Sequence, residues 1–534
     1  MIRFVESRLG LDSWGRRALR KVFPDHWSFL IGEIALFCFI ILVATGTFLA
    51  LFYRPDAAVV TYEGPYEPLR GQEVSAAFDS VMRLSFEVRA GLVMRQIHHW
   101  AALVFVAATV VHMCRVFFTG AFRRPRELNW IVGFAMLMLA LGLGFTGYSL
   151  PDDLLSGTGL RIGYSALISI PFAGPYIASL AFGGEFPTEN VISRLFVLHV
   201  MLLPGLTIAL LGAHLAILWR QKHTQFKGPG RSETNVVGKG LWPYQALLSL
   251  GVMALTAAVL ALMGGLVQIN PIWLYGPFDA TTVSAPSQPD WYMGWLDGAT
   301  RLFPPWEPTV LGVTIPSMFL PAVLLPGLFF TVVALWPFIE RRLTKDVAEH
   351  HLLDSPRDEP GRTALGVAGL LFFTVLTLAG GNDLIALTLD VQVESMTRFF
   401  RLAMFVVPLV GGALALRICR QLRDSQEHPL GRSSGVVLRR TEQGGFEEVS
   451  EPINRFESGG RSERSRGLPQ RHAPPPARGR GGDSQRRPGP APGDVVDEEP
   501  ADIARRLRHL PERPGRGQRG VSVGGFALLG LHRV

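Results

Sequence analysis

The chain has 534 residues, 48% of them hydrophobic and 18% charged, with a formal net charge of +8 and a mean hydropathy of +0.25. Apolar residues fall in long blocks, and charges gather between the blocks and at the two ends. That distribution excludes an ordinary soluble globular chain and predicts an integral membrane protein with basic surfaces facing one compartment. Cys38, Cys114 and Cys419 each sit alone in an apolar stretch, so no disulfide framework, cysteine metal cluster or covalently attached haem is expected.

Residues 1–28 are basic and lack an apolar run before a cleavage site, so no cleavable signal peptide is expected. A span needs roughly 20 apolar residues to cross about 30 Å of hydrocarbon. Eight blocks qualify, at about 29–53, 95–118, 129–150, 195–219, 244–268, 309–337, 363–381 and 398–419. Arg3, Arg8, Arg16, Arg17, Arg20 and Lys21 precede span one, and Arg123, Arg124 and Arg126 follow span two. Arg220, Lys222, Lys227 and Arg231 follow span four, and Arg341, Arg342 and Lys345 follow span six. If each block crosses once, all lie on one side, which the positive-inside rule makes the cytoplasm, with both termini there. The opposite loops, about 54–94, 151–194 and 269–308, are long enough to carry function.

From 421 onward Arg, Gly, Pro and Ser dominate. The expectation is a disordered cytoplasmic tail at 421–534, with a short helix near 500–511. The expected organisation is a basic segment at 1–28, a four-helix bundle at 29–219, and a cytoplasmic loop at 220–243. Further spans at 244–420, with a long loop on the opposite side, precede the tail.

The placement of the 13 histidines is the most informative feature. Histidine inside a span is costly and marks function by default. Span two holds His98, His99 and His112; span four holds His199 and His214. His98 and His112 lie about 21 Å apart along a helix and ~40° apart around it; His199 and His214 lie about 22 Å and ~60° apart. Two such helices side by side stack two His–His pairs across the bilayer. An iron held by two imidazoles has no open position, which suits electron transfer. His99 points about 100° away from His98 and is read as a non-ligand.

Gly32 and Gly46 in span one repeat at fourteen residues, as do Gly133 and Gly147 in span three. That is the period of the span-two histidines, and it would let flat haem faces approach the backbone. Arg95 and Arg115 flank the span-two histidines, either as membrane-end anchors or as partners for haem propionates.

Together RQIHHWAALVFVAATVVHMCR, GFTGYSLP, ISIPFAG, RLFVLHVMLLPGLTIALLGAH and QPDWYMGWLDG resemble cytochrome b of the cytochrome bc complexes, over about residues 26–420. The resemblance implies an all-α membrane fold with two haems b, a low-potential one on His98 and His199 and a high-potential one on His112 and His214. It also implies quinol oxidation at an outer site. One electron goes to a separate Rieske iron–sulfur subunit and then to a cytochrome c subunit. The other crosses to an inner quinone site, and protons are translocated. Asp290, Tyr292 and Tyr148 are the implied outer-site residues. Asp290 is a proton acceptor or, in a structural reading, a helix cap, and Asp297 is a second proton carrier. At the inner site His223, Lys222 and Arg220 either meet a quinone or are solvated basic residues.

Departures from the mitochondrial pattern narrow the resemblance. An acidic inner-site residue of that family aligns with Ser249, and the cysteine carrying an extra haem in the photosynthetic type aligns with Leu30, so no third haem is expected. Pro-Asp-Trp-Tyr at 289–292, the chain unsplit after span four, QFKGPG and the long tail resemble the actinobacterial branch. This implies menaquinol, a homodimer, a supercomplex with a terminal oxidase in the bacterial plasma membrane, lipid contacts and no nucleic acid. Two other classes stay open on the residues alone. A di-haem cytochrome b anchor of a hydrogenase or formate dehydrogenase needs the histidines but not PDWY, and a non-haem transporter needs neither.

Overall fold

The computed structural model describes residues 15, 19–282, 288–427, 433–440 and 446–452. The N-terminal arginines at 3, 8, 16 and 17, and the helix expected near 500–511, lie outside the described residues.

Among the described residues, eight helices are long and apolar enough to cross a membrane: Trp27–Ala50, Gly91–Phe118, Glu127–Tyr148, Val191–Gln221, Leu241–Leu266, Leu320–Thr344, Pro360–Gly380 and Val393–Ser425. Leucines such as Leu247, Leu255, Leu262, Leu402 and Leu409 stand exposed on them, as lipid-facing residues do. Spans one and two pack together, as do three and four, and span five lies against spans one and two. Between them sits a core of Cys38, Phe39, Ala101, Phe105, Ala140, Leu260 and Tyr292.

Span six differs from its expected position. The apolar run at 309–319 does not enter the helix; Thr309–Val310 pairs back on Val313–Thr314 across a turn, with Leu311 and Gly312 at positive φ. The helix starts at Leu320 and keeps Arg341 and Arg342 in its last turn, where cations suit the helix dipole. Span eight continues as helix to Glu427, past the expected boundary at 420. Beyond it, Ser433–Arg440 and Phe446–Pro452 pair as antiparallel strands; residues 453–534 lie outside the described residues.

The basic loops meet at one end of the bundle. Strand Gln225–Phe226, after span four, pairs with Leu352–Leu353, after span six. Asp354 takes Arg362 at 2.7 Å and Arg123 at 2.9 Å. Arg126 donates to the carbonyls of His350 and Lys222 at 2.7 and 3.1 Å, and strand Val22–Pro24 pairs with Gly238–Gly240. At the other end the long loops are folded. They contain helices Ala76–Phe86, Leu154–Ile168, Gly174–Phe182 and Trp291–Leu302, tied in part by Leu154 N–H to the Gly276 carbonyl at 2.9 Å.

Candidate functional site

The histidines of spans two and four meet as two pairs. The His98 and His199 ring centres lie 6.2 Å apart, with planes at 71°. The His112 and His214 centres lie 6.5 Å apart, with planes at 73°. A metal bonded to each ring at about 2 Å, plus ~1 Å from ring nitrogen to ring centre on each side, spans roughly 6 Å. Each pair thus leaves room for one ion between its rings.

Span four reaches this match by a local departure from the α-helix. Its two histidines are one residue further apart than those of span two, but Leu198–Leu202 form a π turn that includes His199. A π turn closes i to i+5 and absorbs an added residue, offsetting the ~60° rotation that an unbroken helix would give.

The hydrogen bonds at the first pair set the tautomer. Thr45 Oγ1 donates to the Ile41 carbonyl at 2.7 Å and lies 2.9 Å from His98 Nδ1. His199 Nδ1 lies 3.0 Å from the Leu143 carbonyl and 3.2 Å from Thr146 Oγ1. A carbonyl only accepts, so His199 Nδ1 carries the proton and Nε2 keeps its lone pair; the occupied Thr45 hydroxyl favours the same tautomer at His98. At the second pair neither His112 Nδ1 nor His214 Nδ1 has a partner within hydrogen-bond geometry.

The glycines face these rings. A Cβ added at Gly32 would sit 3.1 Å from His112 Cε1, one at Gly46 3.1 Å from His98 Cε1, and one at Gly133 3.6 Å from His214 Cε1. At Gly147 a Cβ would press into the His199 ring, 2.9 Å from Nε2. All four glycines thus stand against the imidazoles of the two pairs. Arg95 is buried, donates to the Asn270 carbonyl at 3.1 Å, and leaves Nε and Nη2 without a hydrogen-bond partner. Arg115 lies over the Phe29 ring at 4.3 Å, with Nε and Nη2 also unpaired. These orphaned guanidinium atoms, one set near each pair, suit anionic groups such as propionates. The residues present fit a bis-imidazole haem at each level.

A cavity of 260 Å³ is lined by both rings of the first pair with Gly46 and Gly147, and by Arg95, His99, Tyr148, Asp290 and Tyr292. Asp290 precedes helix Trp291–Leu302, but its side chain makes no capping hydrogen bond. Instead its carboxylate meets His99 Nε2 at 2.9 and 3.1 Å and accepts from the Tyr292 hydroxyl at 3.1 Å. Burial, with Asp290 alongside, pushes the Tyr292 phenol well above its ordinary value, so it stays a donor. The Tyr148 hydroxyl donates to the Leu155 carbonyl at 3.0 Å. A neighbouring 220 Å³ pocket runs from Tyr148, Asp290 and Tyr292 to Asp297, Arg301 and Asp383. Burial raises the Asp297 carboxyl although Arg301, 2.9 Å away, pulls it down.

His99 is the residue that the sequence reading left without a role. Its ring meets Asp290 rather than another imidazole; the 100° step from His98 was the available signal, since it aims His99 at the face where Pro-Asp-Trp-Tyr packs. A cavity of 750 Å³ is lined by both rings of the second pair with Gly32 and Gly133, and by Glu33, Arg115, His223, Gln245 and Ser249. Of the three basic candidates there, His223 lines the cavity, whereas Arg220 and Lys222 are exposed outside it.

Residues 103–277 match the family described as cytochrome b(N-terminal)/b6/petB. The cytochrome bc1 complex cytochrome b subunit of Streptomyces coelicolor is 47% identical over 459 residues, covering 84% of this chain and 83% of the relative. That of Mycobacterium tuberculosis is 48% identical over 452 residues, covering 84% and 82%. A solved chain described as a hyperthermophilic respiratory Complex III shares the fold, with a TM-score of 0.57 at 22% identity, over 78% of this chain and 99% of that one. The chain belongs to the family of cytochrome b subunits of cytochrome bc1 complexes, transmembrane haem proteins of respiratory electron transport.

Proposed function

We propose that the chain carries two haems b, on His98 with His199 and on His112 with His214, and works as the membrane-spanning subunit of a quinol:cytochrome c oxidoreductase. The observation that carries this reading is the pair of matched imidazole couples, 6.2 and 6.5 Å between ring centres. When bound, each haem supplies a one-electron carrier without an open coordination position. Thr45, Leu143 and Thr146 hold the first pair's Nδ1 atoms, which leaves each Nε2 free to bind a metal. Arg95 and Arg115 would neutralise propionates at the two levels.

The 260 Å³ space lined by His98, His199, Gly46 and Gly147 would take the haem of that level, while the neighbouring pocket that runs from Tyr148, Asp290 and Tyr292 to Asp297 is the quinol-oxidising site, on the outer face. There the Asp290 carboxylate accepts a proton from a quinol hydroxyl, with His99 and Tyr292 fixing its orientation, and Tyr148 closes the wall. Asp297 and Asp383 lead the proton toward bulk water. The part of the second cavity walled by Glu33, His223, Gln245 and Ser249 is the inner quinone-reducing site, on the cytoplasmic face where the basic loops gather, beside the space lined by His112, His214, Gly32 and Gly133 that would take the haem. Menaquinol as substrate, separate Rieske and cytochrome c subunits, a homodimer, an oxidase supercomplex, cytoplasmic termini and the division at 28, 219, 243 and 420 belong to the same reading. The wall that Asp290 and Tyr292 form against the first pair favours it over a hydrogenase or formate dehydrogenase anchor. Mixing the purified complex with a menaquinol analogue tests it: reduction of both b-type absorbance components and of cytochrome c is expected. Failure of quinol to reduce either would overturn it.

A further inference from the structure

We infer that Glu33 is the protonating carboxylic acid of the inner quinone site, a proposal that rests on that site being where quinone is reduced. Glu33 stands in the first turn of helix Leu30–Ala50 and lines the 750 Å³ cavity with His223, Gln245 and Ser249, beside the part lined by His112 and His214 that would take the haem. Gln245, where the chain enters span five, donates to Glu33 Oε1 at 2.9 Å and reaches Ser249 Oγ at 3.4 Å. The second oxygen, Oε2, is buried without a hydrogen-bond partner. A helix-start carboxylate serving only the helix dipole would be expected to keep its oxygens in water or on backbone N–H groups. This one is held by one oxygen, with the other left for a ligand.

The other candidate proton sources on the cavity wall are poorly suited. Burial pushes His223 down to about 4, with Lys21, Arg126 and Arg115 adding to the effect. Burial likewise lowers His26, helped by Arg115 and Arg231 and opposed by Asp25. Both imidazoles are therefore mainly neutral near pH 7 and serve as hydrogen-bonding groups. Ser249 has no proton to give at that pH. Asp25 is in an ion pair with Lys239 at 2.8 Å, both about half exposed, where the cavity meets water.

Reducing one quinone takes two electrons and two protons. The electrons arrive singly from the adjacent level, one for each quinol oxidised at the outer site. With each, Glu33 gives its carboxyl proton to a quinone oxygen, becomes a carboxylate held by Gln245, and is reprotonated from water at the cavity mouth. Two O–H bonds form, both carbonyls become hydroxyls, and Glu33 is regenerated.

The reverse reaction gives a clean test. In purified complex carrying Asp290→Asn to slow the outer route, a menaquinol analogue reduces haem b mainly through the inner site. Glu33→Gln should slow that reduction about 100-fold, the scale of general acid–base catalysis, with haem content unchanged. Glu33→Asp should keep an intermediate rate. Glu33→Gln with Ser249→Asp, which returns a carboxylate to the other side of Gln245, should recover part of the loss. An infrared difference spectrum of quinone reduction should lose a carboxyl C=O band in Glu33→Gln. Reduction in Glu33→Gln as fast as in the Asp290→Asn parent, or an unaltered infrared band, overturns the assignment. A parent showing no reduction by quinol at all refutes the inner-site reading and this inference with it, whereas a rapid parent and an equally rapid Glu33→Gln variant refute Glu33 alone.

Discussion

The two ends of the four-helix bundle each bring two histidines face to face, in opposite surroundings. At the His98–His199 end, Nδ1 of each ring has a hydrogen-bond partner, the cavity is 260 Å³, and a carboxylate is gripped by an imidazole and a phenol. At the His112–His214 end neither Nδ1 closes a hydrogen bond, the cavity is 750 Å³, and Glu33 keeps an oxygen unpaired. Phe39 and Phe105, 5.7 Å apart, line both cavities and stand between the levels. Hydrogen-bonding an imidazole Nδ1–H raises the ligand's basicity and fixes its ring. The first end thus holds its rings in fixed orientation, and the second leaves its rings less constrained, beside a carboxylate oxygen without a partner.

The largest expected effect breaks one end and spares the other. His98→Ala or His199→Ala should remove the haem of that level while the other is still loaded, and His112→Ala or His214→Ala should do the converse. His99→Ala should retain both in the reduced-minus-oxidised spectrum, since its ring contacts Asp290. Loss of a haem component in His99→Ala would put the ligand register in error. Next, Asp290→Asn should lower the quinol oxidation rate about 100-fold with both haem components unchanged; full turnover would remove Asp290 from the proton path.

The glycines sharpen the comparison further. Gly147→Ala forces a methyl group into the His199 ring, while Gly133→Ala makes only ordinary contact with His214. Haem loading at the first level should fall in the former and hold in the latter; equal loss in both would contradict the ring-clearing role. Thr45→Val and Thr146→Val should weaken haem retention at the first level by about 10-fold, the lower range for lost outer partners of a ligand histidine. Haem release on dilution in detergent measures this. The smallest effect is expected from removing residues after Glu427, which should leave haem content and quinol oxidation unchanged.

Much of this was legible in the sequence because membrane helices write their period openly. The eight apolar blocks, the fourteen-residue repeats of histidine and glycine, and the basic loops all map onto elements of the structure. What escaped depended on contacts between distant segments. The fifteen-residue spacing in span four predicted a rotated pair, because nothing local announces the π turn at Leu198–Leu202. Hydropathy carried span six back to 309, but the positive-φ turn at Leu311 and Gly312 makes that stretch a hairpin. His99 was set aside because its partner lies 191 residues away. Glu33 went unremarked for the same reason, since Gln245 reaches it from 212 residues further along the chain.

The central claim is that each facing pair of imidazoles holds one haem. Its most direct test is the haem b content per chain of the purified complex, joined to the low-temperature electron paramagnetic resonance spectrum of its oxidised form. The account predicts two haems b per chain, both low-spin with two imidazole ligands, and one of them lost in His199→Ala. A single haem per chain, or a high-spin centre with an open coordination position in the unaltered protein, would contradict it.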